Sequence, residues 1–325
     1  MPRRAGQTLL QLLLLLLLCL LPLATADAAP PSRHPFANSQ LILKWINGYR
    51  AKPDPQRLSQ AVQAMSALGL FRDLEAGGVY IGFVAGILGD NPATAEKQIG
   101  AMFPMPPEDQ VAIVRAIAYS GLPDWKELLS KFAERMPARK VLIERHMAGK
   151  LPGLDKLPLD TSPAAVDAHW GYYFATGRFA TVDRIVEMLA WAKDANNVER
   201  LTSGQMAKWT LANNALQDKE LLDHLKAEMR RRPKPIKEQL AEVVEAAETF
   251  ETAKIRKDAT AAIEELRRKG PESTRNFGFW STAGQTVLAL GCITAGALGH
   301  AEIAVPCVIG GAASSAALKI FGPQQ

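Results

Sequence analysis

The chain has 325 residues, 48% of them hydrophobic, enough for one large or two modest domains. Its formal net charge of +5 is spread over intermixed lysines, arginines and carboxylates. That balance is too mild to point to nucleic acid as a partner.

Arg3 and Arg4 precede a leucine run from Leu9 to Leu21, and small residues follow at Ala24-Thr25-Ala26 and Ala26-Asp27-Ala28. This is the order of a secretory signal peptide, which we place over residues 1–28 with cleavage after Ala26 or Ala28. The expectation is an exported protein, periplasmic or secreted. Cleavage removes Cys19 and leaves Cys292 and Cys307 as a candidate disulfide in an oxidising compartment. Residues 29–35 form a Pro-rich tether.

From there on the pattern is helical: apolar residues at spacings of three and four, punctuated by Pro and Gly. No alternating runs with hairpin turns predict a sheet. Asn38 or Ser39 caps a first helix to about Tyr49, and Pro53-Asp54-Pro55 opens a second that ends near Gly69. Val79 to Leu88 is apolar nearly all round, which predicts burial between neighbours. Asn91-Pro92 starts the next helix, with Pro in its favoured first turn. Pro107–Tyr119, Pro123–Arg135 and Ala138–Met147 follow, completing a helical-hairpin region over 36–150. Leu151 to Leu159 reads as a loop and the internal break. A second hairpin region covers 160–233 and forms the same domain or another.

That second region holds the clearest unit. Val166, Trp170, Tyr173 and Phe174 share one helical face, Thr176-Gly177 stops the helix, and Val182, Ile185, Val186 and Leu189 share the face of the next. Ser203 caps a helix to about Ala215, and Lys219 to Arg231 completes a further pair. With Trp170, Tyr173, Gly177 and Phe179 so placed, the hairpin resembles a tetratricopeptide-type repeat. The likeness covers about one repeat; the spacings between successive turns are irregular, and Val182 stands where that family has a small residue. The resemblance implies stacked helical hairpins, a solenoid-like architecture with a core continuous between neighbours. By analogy it also implies a protein-binding scaffold.

Residues 235–269 read as one long amphipathic charged helix. Ile236, Leu240, Val243, Ala247 and Phe250 form a heptad-like seam that slips after Phe250 and resumes at Ile255. Just before it, Arg230, Arg231, Arg232, Lys234 and Lys237 form the densest basic run, a candidate contact for an anionic surface.

Residues 276–321 are rich in Ala and Gly and nearly free of charge, and they predict an apolar helical hairpin. Phe277, Phe279 and Trp280 stand at its entrance as an interfacial aromatic belt would. Gly291, Ala295 and Gly299 repeat every fourth residue, a spacing that lets helix backbones approach. These six residues are the candidate membrane contacts. Cys292 and Cys307 flank the predicted turn, within reach of each other in an antiparallel pair.

The five histidines form no zinc spacing, and no phosphate loop, nucleophile elbow or dinucleotide fingerprint appears. Glu144-Arg145-His146 reads as a solvated helix face, and His169 beside Trp170 as a packing residue. No catalytic, metal-binding or cofactor-binding residue is assigned. The expectation is an all-α, non-enzymatic exported scaffold that meets a protein partner or membrane through its C-terminal hairpin. Two alternatives stand beside it. One is a membrane-active protein, since a charged helix before an apolar hairpin resembles the layout of colicin-type pore-forming domains. The other is a lipid or hydrophobic-ligand binding protein.

Overall fold

The computed structural model describes residues 35–72, 77–160, 163–250 and 252–269. The expected signal peptide over 1–28, the tether up to residue 34, the candidate Cys292–Cys307 pair and the segment 276–321 lie outside the described residues. The described residues from Phe36 to Lys269 belong to one compact unit. Every regular element among the described residues is helical, so the protein is all-α.

Helix α1 spans Ser39–Gly48, and the Asn38 side chain caps it by accepting the Leu41 N–H at 3.0 Å. A short 3-10 turn, Pro55–Arg57, leads into α2, Leu58–Ala67. Then come α3 (Gly78–Asp90), α4 (Pro92–Ala101), α5 (Gln110–Tyr119), α6 (Trp125–Ala133) and α7 (Lys140–Met147). The expected loop contains a 3-10 turn, Leu154–Lys156. Helix α8 (Pro163–Thr176) turns at Gly177 into α9 (Phe179–Glu187), which tightens into a 3-10 turn over Met188–Trp191. Gly177 has φ +69°, a left-handed conformation that side chains resist, and its N–H reaches Tyr173 O at 2.7 Å to close the helix.

The main crossing joins α3 to α8, two helices about 80 residues apart in the chain. In a simple stack each hairpin would meet the next one along; here the tightest partners are distant. Small residues make the approach possible. A Cβ at Gly78 would lie 2.3 Å from Ala164 O, one at Gly82 1.9 Å from Ala168 O, and one at Gly171 2.0 Å from Val79 O. The remaining α3 positions, Val79 to Leu88, are buried as their all-round apolar character predicts. Trp170, Tyr173, Phe174 and Val166 of α8 are also buried.

The second centre is α10, Val198–Gln217. It begins earlier than expected: Asn197 caps it by accepting the Arg200 N–H at 2.8 Å, and Ser203 is a buried interior residue. The stronger Asn cap lies one and a half turns upstream, and Ser203 gives no break in the periodicity after it. Helix α11 covers Lys219–Arg231, with Asp218 as its cap.

The expected single long helix over 235–269 is two helices, α12 (Lys234–Thr249) and α13 (Ala253–Lys269). Phe250 adopts φ 59° and closes α12 in the left-handed conformation. The break falls where the apolar seam slips. Each half then turns its own apolar face to α10: Leu240 and Val243 from α12, Ile255 and Ala259 from α13. A continuous helix could not keep both faces on one partner after the slip.

Gly82→Ala is expected to lower the unfolding free energy by about 3 kcal/mol or more, because the added methyl meets backbone that cannot swing aside. Gly48→Ala, at an exposed position with nothing within 4 Å, should stay within about 0.5 kcal/mol of the parent. Urea unfolding of the two variants decides it; equal midpoints would show that α3 and α8 do not cross this closely.

Candidate functional site

Several polar groupings lie on this frame, and their chemistry separates them. The first is the basic run at the end of α11. Arg231 pairs with Glu228 at 2.7 Å, and Lys234 stands 3.9 Å from Glu238. Arg232 reaches Glu228 at 2.7 Å and lies 3.7 Å from Asp183. Arg230 and Lys237 are exposed. Much of the positive charge is therefore met by carboxylates of the same body, which weakens its field toward an external surface.

Arg232 belongs to a second grouping that sequence spacing did not indicate. Asp183 of α9 and His224 and Glu228 of α11 bring one ligand atom each within 4.8 Å of one another. His224 Nε2 is 2.7 Å from Asp183 Oδ1, and its ring stacks on Phe179 with centroids 4.1 Å apart. The arrangement suits a metal in residue type, but the Arg232 guanidinium already supplies the cation to both carboxylates. Its evident effect is to tie α9 to α11.

The third grouping lies in a cleft of about 880 Å³ beside the start of α11. Arg50 Nη1 donates to Tyr173 Oη at 2.9 Å and to Asp218 at 2.5 Å, and Arg50 Nη2 donates to Glu220. Tyr173 Oη in turn donates to Asp218 at 2.7 Å. Burial works against the Asp218 charge, but the Tyr173 hydroxyl, the Leu221 N–H and Arg50 outweigh it and hold the carboxyl below its ordinary range. Burial likewise opposes the Arg50 charge, and Tyr173 and the two carboxylates more than compensate. Each group here already has its partner. The network clamps α1 to α8 and α11.

The fourth grouping differs in that respect. A half-open cavity of about 790 Å³ lies between α5, α6, α8 and α9, with more apolar than polar lining. Leu122, Trp125 and Leu154 form its apolar walls; Lys156, Arg178, Arg184 and Asp155 are its charged residues, Arg178 being paired with Asp90 at 2.5 Å and Arg184 with Glu187 at 2.7 Å. His169, fully buried on α8, lines it as well. Its Nδ1 is 2.8 Å from Ala165 O, one turn back along its own helix. A carbonyl oxygen can only accept, so Nδ1 carries the proton and Nε2 presents a lone pair. Nε2 is buried without a protein partner, and so is Arg184 Nε. The other Arg184 nitrogens are engaged, Nη1 with Glu187 at 2.7 Å and Nη2 with Leu157 O at 3.4 Å.

Burial holds the His169 imidazole down to about 4; the bond to Ala165 opposes that shift, and nearby Arg184 adds to it. His146 is held down to about 4 as well, by burial first and then by Arg115 and Arg145. This corrects the reading of Glu144-Arg145-His146 as one solvated face. Glu144 and Arg145 are exposed, but His146 turns inward against Tyr119, with ring centroids 6.3 Å apart. Neighbours in a helix point some 100° apart, so adjacent polar residues need not share an environment.

The candidate membrane contacts Phe277, Phe279, Trp280, Gly291, Ala295 and Gly299 and the cysteine pair lie outside the described residues. No helix among the described residues is long and apolar enough to cross a membrane. Comparison with protein-family models, with curated proteins and with solved structures finds no match to this chain.

The two buried histidines set a pH dependence. The unfolded chain protonates them near 6.5, whereas the folded chain resists until about 4. Between those values the unfolded state binds more protons, so stability falls as pH falls, by roughly 2–3 kcal/mol for each histidine. The Asp218 carboxyl adds to this only at lower pH, where its contribution is lost as pH falls through its folded value. Urea midpoints from about pH 7 to about pH 4.5 should decline, and His146→Leu should flatten the decline. An unchanged slope in that variant would contradict its burial in neutral form.

Proposed function

We propose that this chain is an exported, non-enzymatic binding protein whose helical body takes a small amphipathic ligand into the His169 cavity. The observation that carries the reading is the combination of walls and polar atoms there. A cavity of about 790 Å³ has a ligand's dimensions. Its lining is chiefly apolar, and two of the residues that line it, His169 and Arg184, each hold a buried polar atom with no protein partner. Such atoms are costly to leave unmet in a folded core, and a bound molecule would meet them. The Arg50 cleft is comparable in size, but its Arg50 and Asp218 groups are spent on each other and on Tyr173.

On this reading the leader places the body outside the cytoplasm. The segment 276–321 tethers it to a membrane or to a protein partner, as its aromatic entrance and small-residue stripe suggest. The stacked hairpins then act as the frame of the cavity, and the scaffold expected from sequence becomes a holder for a ligand.

The anionic dye 8-anilinonaphthalene-1-sulfonate tests the cavity. Ala180 is exposed and lines the rim, so Ala180→Trp should block entry while leaving the fold, followed by circular dichroism, unchanged. The parent protein is expected to bind the dye saturably at neutral pH, and the variant to lose at least about tenfold in affinity. Non-saturable binding, or equal binding by the variant, would refute the site. For the tether, removing residues 276–325 should release the protein from the membrane fraction; unchanged fractionation would remove that part of the reading.

A further inference from the structure

The unpartnered atoms of the two lining residues His169 and Arg184 are unlike each other, and the difference points to a ligand. Arg184 Nε carries a hydrogen under all ordinary conditions and can only donate. His169 Nε2 can only accept, because Ala165 O holds the ring proton on Nδ1. A bare carboxylate placed against both would satisfy the arginine and leave two lone pairs facing each other at the histidine. Proton transfer to Nε2 would relieve that, but burial and the Arg184 charge disfavour the imidazolium. A plain alcohol would satisfy the histidine and leave the arginine without its anion. Arg184 Nη1 and Nη2 each spend one of their two hydrogens inside the protein, on Glu187 and on Leu157 O, so Nε is the Arg184 nitrogen without a protein partner.

We propose that the cavity recognises a hydroxycarboxylate with an apolar body: Arg184 Nε–H donates to its carboxylate, its hydroxyl donates to His169 Nε2, and its apolar part lies against Leu122, Trp125 and Leu154. This rests on the cavity being the binding site. The walls suit a short aliphatic chain. The histidine acts as the selector, since it rewards the hydroxyl and gives nothing to the unsubstituted acid.

Isothermal titration of the full chain at neutral pH with decanoate, 2-hydroxydecanoate and 3-hydroxydecanoate tests this. At least one hydroxy acid is expected to bind about tenfold more tightly than decanoate, the scale of one well-placed buried hydrogen bond. Arg184→Gln, on a partly exposed side chain, should weaken all three by about tenfold or more. His169→Phe should abolish the preference and keep decanoate binding; if that variant does not fold, the parent's preference and the Arg184 variant decide. Decanoate binding as tightly as both hydroxy acids would overturn the inference while leaving the cavity a binding site. No saturable binding of any of the three also overturns it, and if the dye fails as well, the proposed function falls with it.

Discussion

The α3–α8 crossing sets the rest of this structure. Helices with ordinary side chains at their contact pack with axes about 8–10 Å apart. Here Gly78, Gly82 and Gly171 present bare backbone, and the partner's carbonyls occupy the space a Cβ would take. The register is strict, because sliding α3 along α8 would drive Val79 or Phe83 into positions that only hydrogen fits. With α3 fixed on one side, α8 has its other faces free for different work. Ala168, Gly171 and Ala175 look toward α3. Val166, Trp170 and Tyr173 meet the α10 and α11 side, where Trp170 Nε1 donates to Thr210 at 3.2 Å and Tyr173 to Asp218. His169 and Tyr172 fall between these two stripes and face the cavity.

How much of this could be read from sequence follows from which contacts are local. The α8–α9 hairpin, the Asn38 cap, the Gly177 stop and the α11 boundaries were legible because each depends on residues within a turn or two. The apolar ring of α3 announced its burial. Its partner did not follow from it, since nothing local to Gly82 names Ala168. Yet part of the signal was present: Gly78, Gly82 and Gly86 repeat every fourth residue, the same spacing that marked Gly291, Ala295 and Gly299 near the C-terminus. In α3 that stripe was hidden among Val, Ile and Phe, whose uniform hydrophobicity reads as burial without direction. The Phe250 break was visible as a slipped seam, though the seam alone gave no reason to prefer a break over a long exposed helix.

The polar site residues were less legible still, for a related reason. Composition shows that a histidine exists; only the fold shows whether it is met. Lys208 makes the contrast. It is almost wholly buried, a costly place for an ammonium, but Gln239 at 3.0 Å and Glu242 at 2.5 Å receive it across α10 and α12. The same holds for Arg50 with Tyr173 and Asp218. These groups stabilise the body because their desolvation is offset by partners of opposite charge. His169 and Arg184 are buried as deliberately at one atom each, without that compensation. The distinction between a satisfied and an unsatisfied buried group is what turns one cavity, rather than the other, into a candidate site.

The same crossing explains why the unsatisfied pair persists. A histidine with an unmet lone pair would ordinarily gain by rotating toward solvent or by letting its helix shift a few degrees. Neither is open to His169. Its Nδ1 is held by Ala165 O, and the preceding residue, Ala168, is the one whose carbonyl abuts Gly82. Rotating α8 to relieve the imidazole would push that carbonyl into the α3 backbone, at a steric cost larger than the roughly 1–3 kcal/mol of an unmet buried polar atom. The glycine contact therefore does two things at once. It closes the core on one side of α8, and on the next it holds a buried acceptor without a protein partner on a residue that lines the cavity.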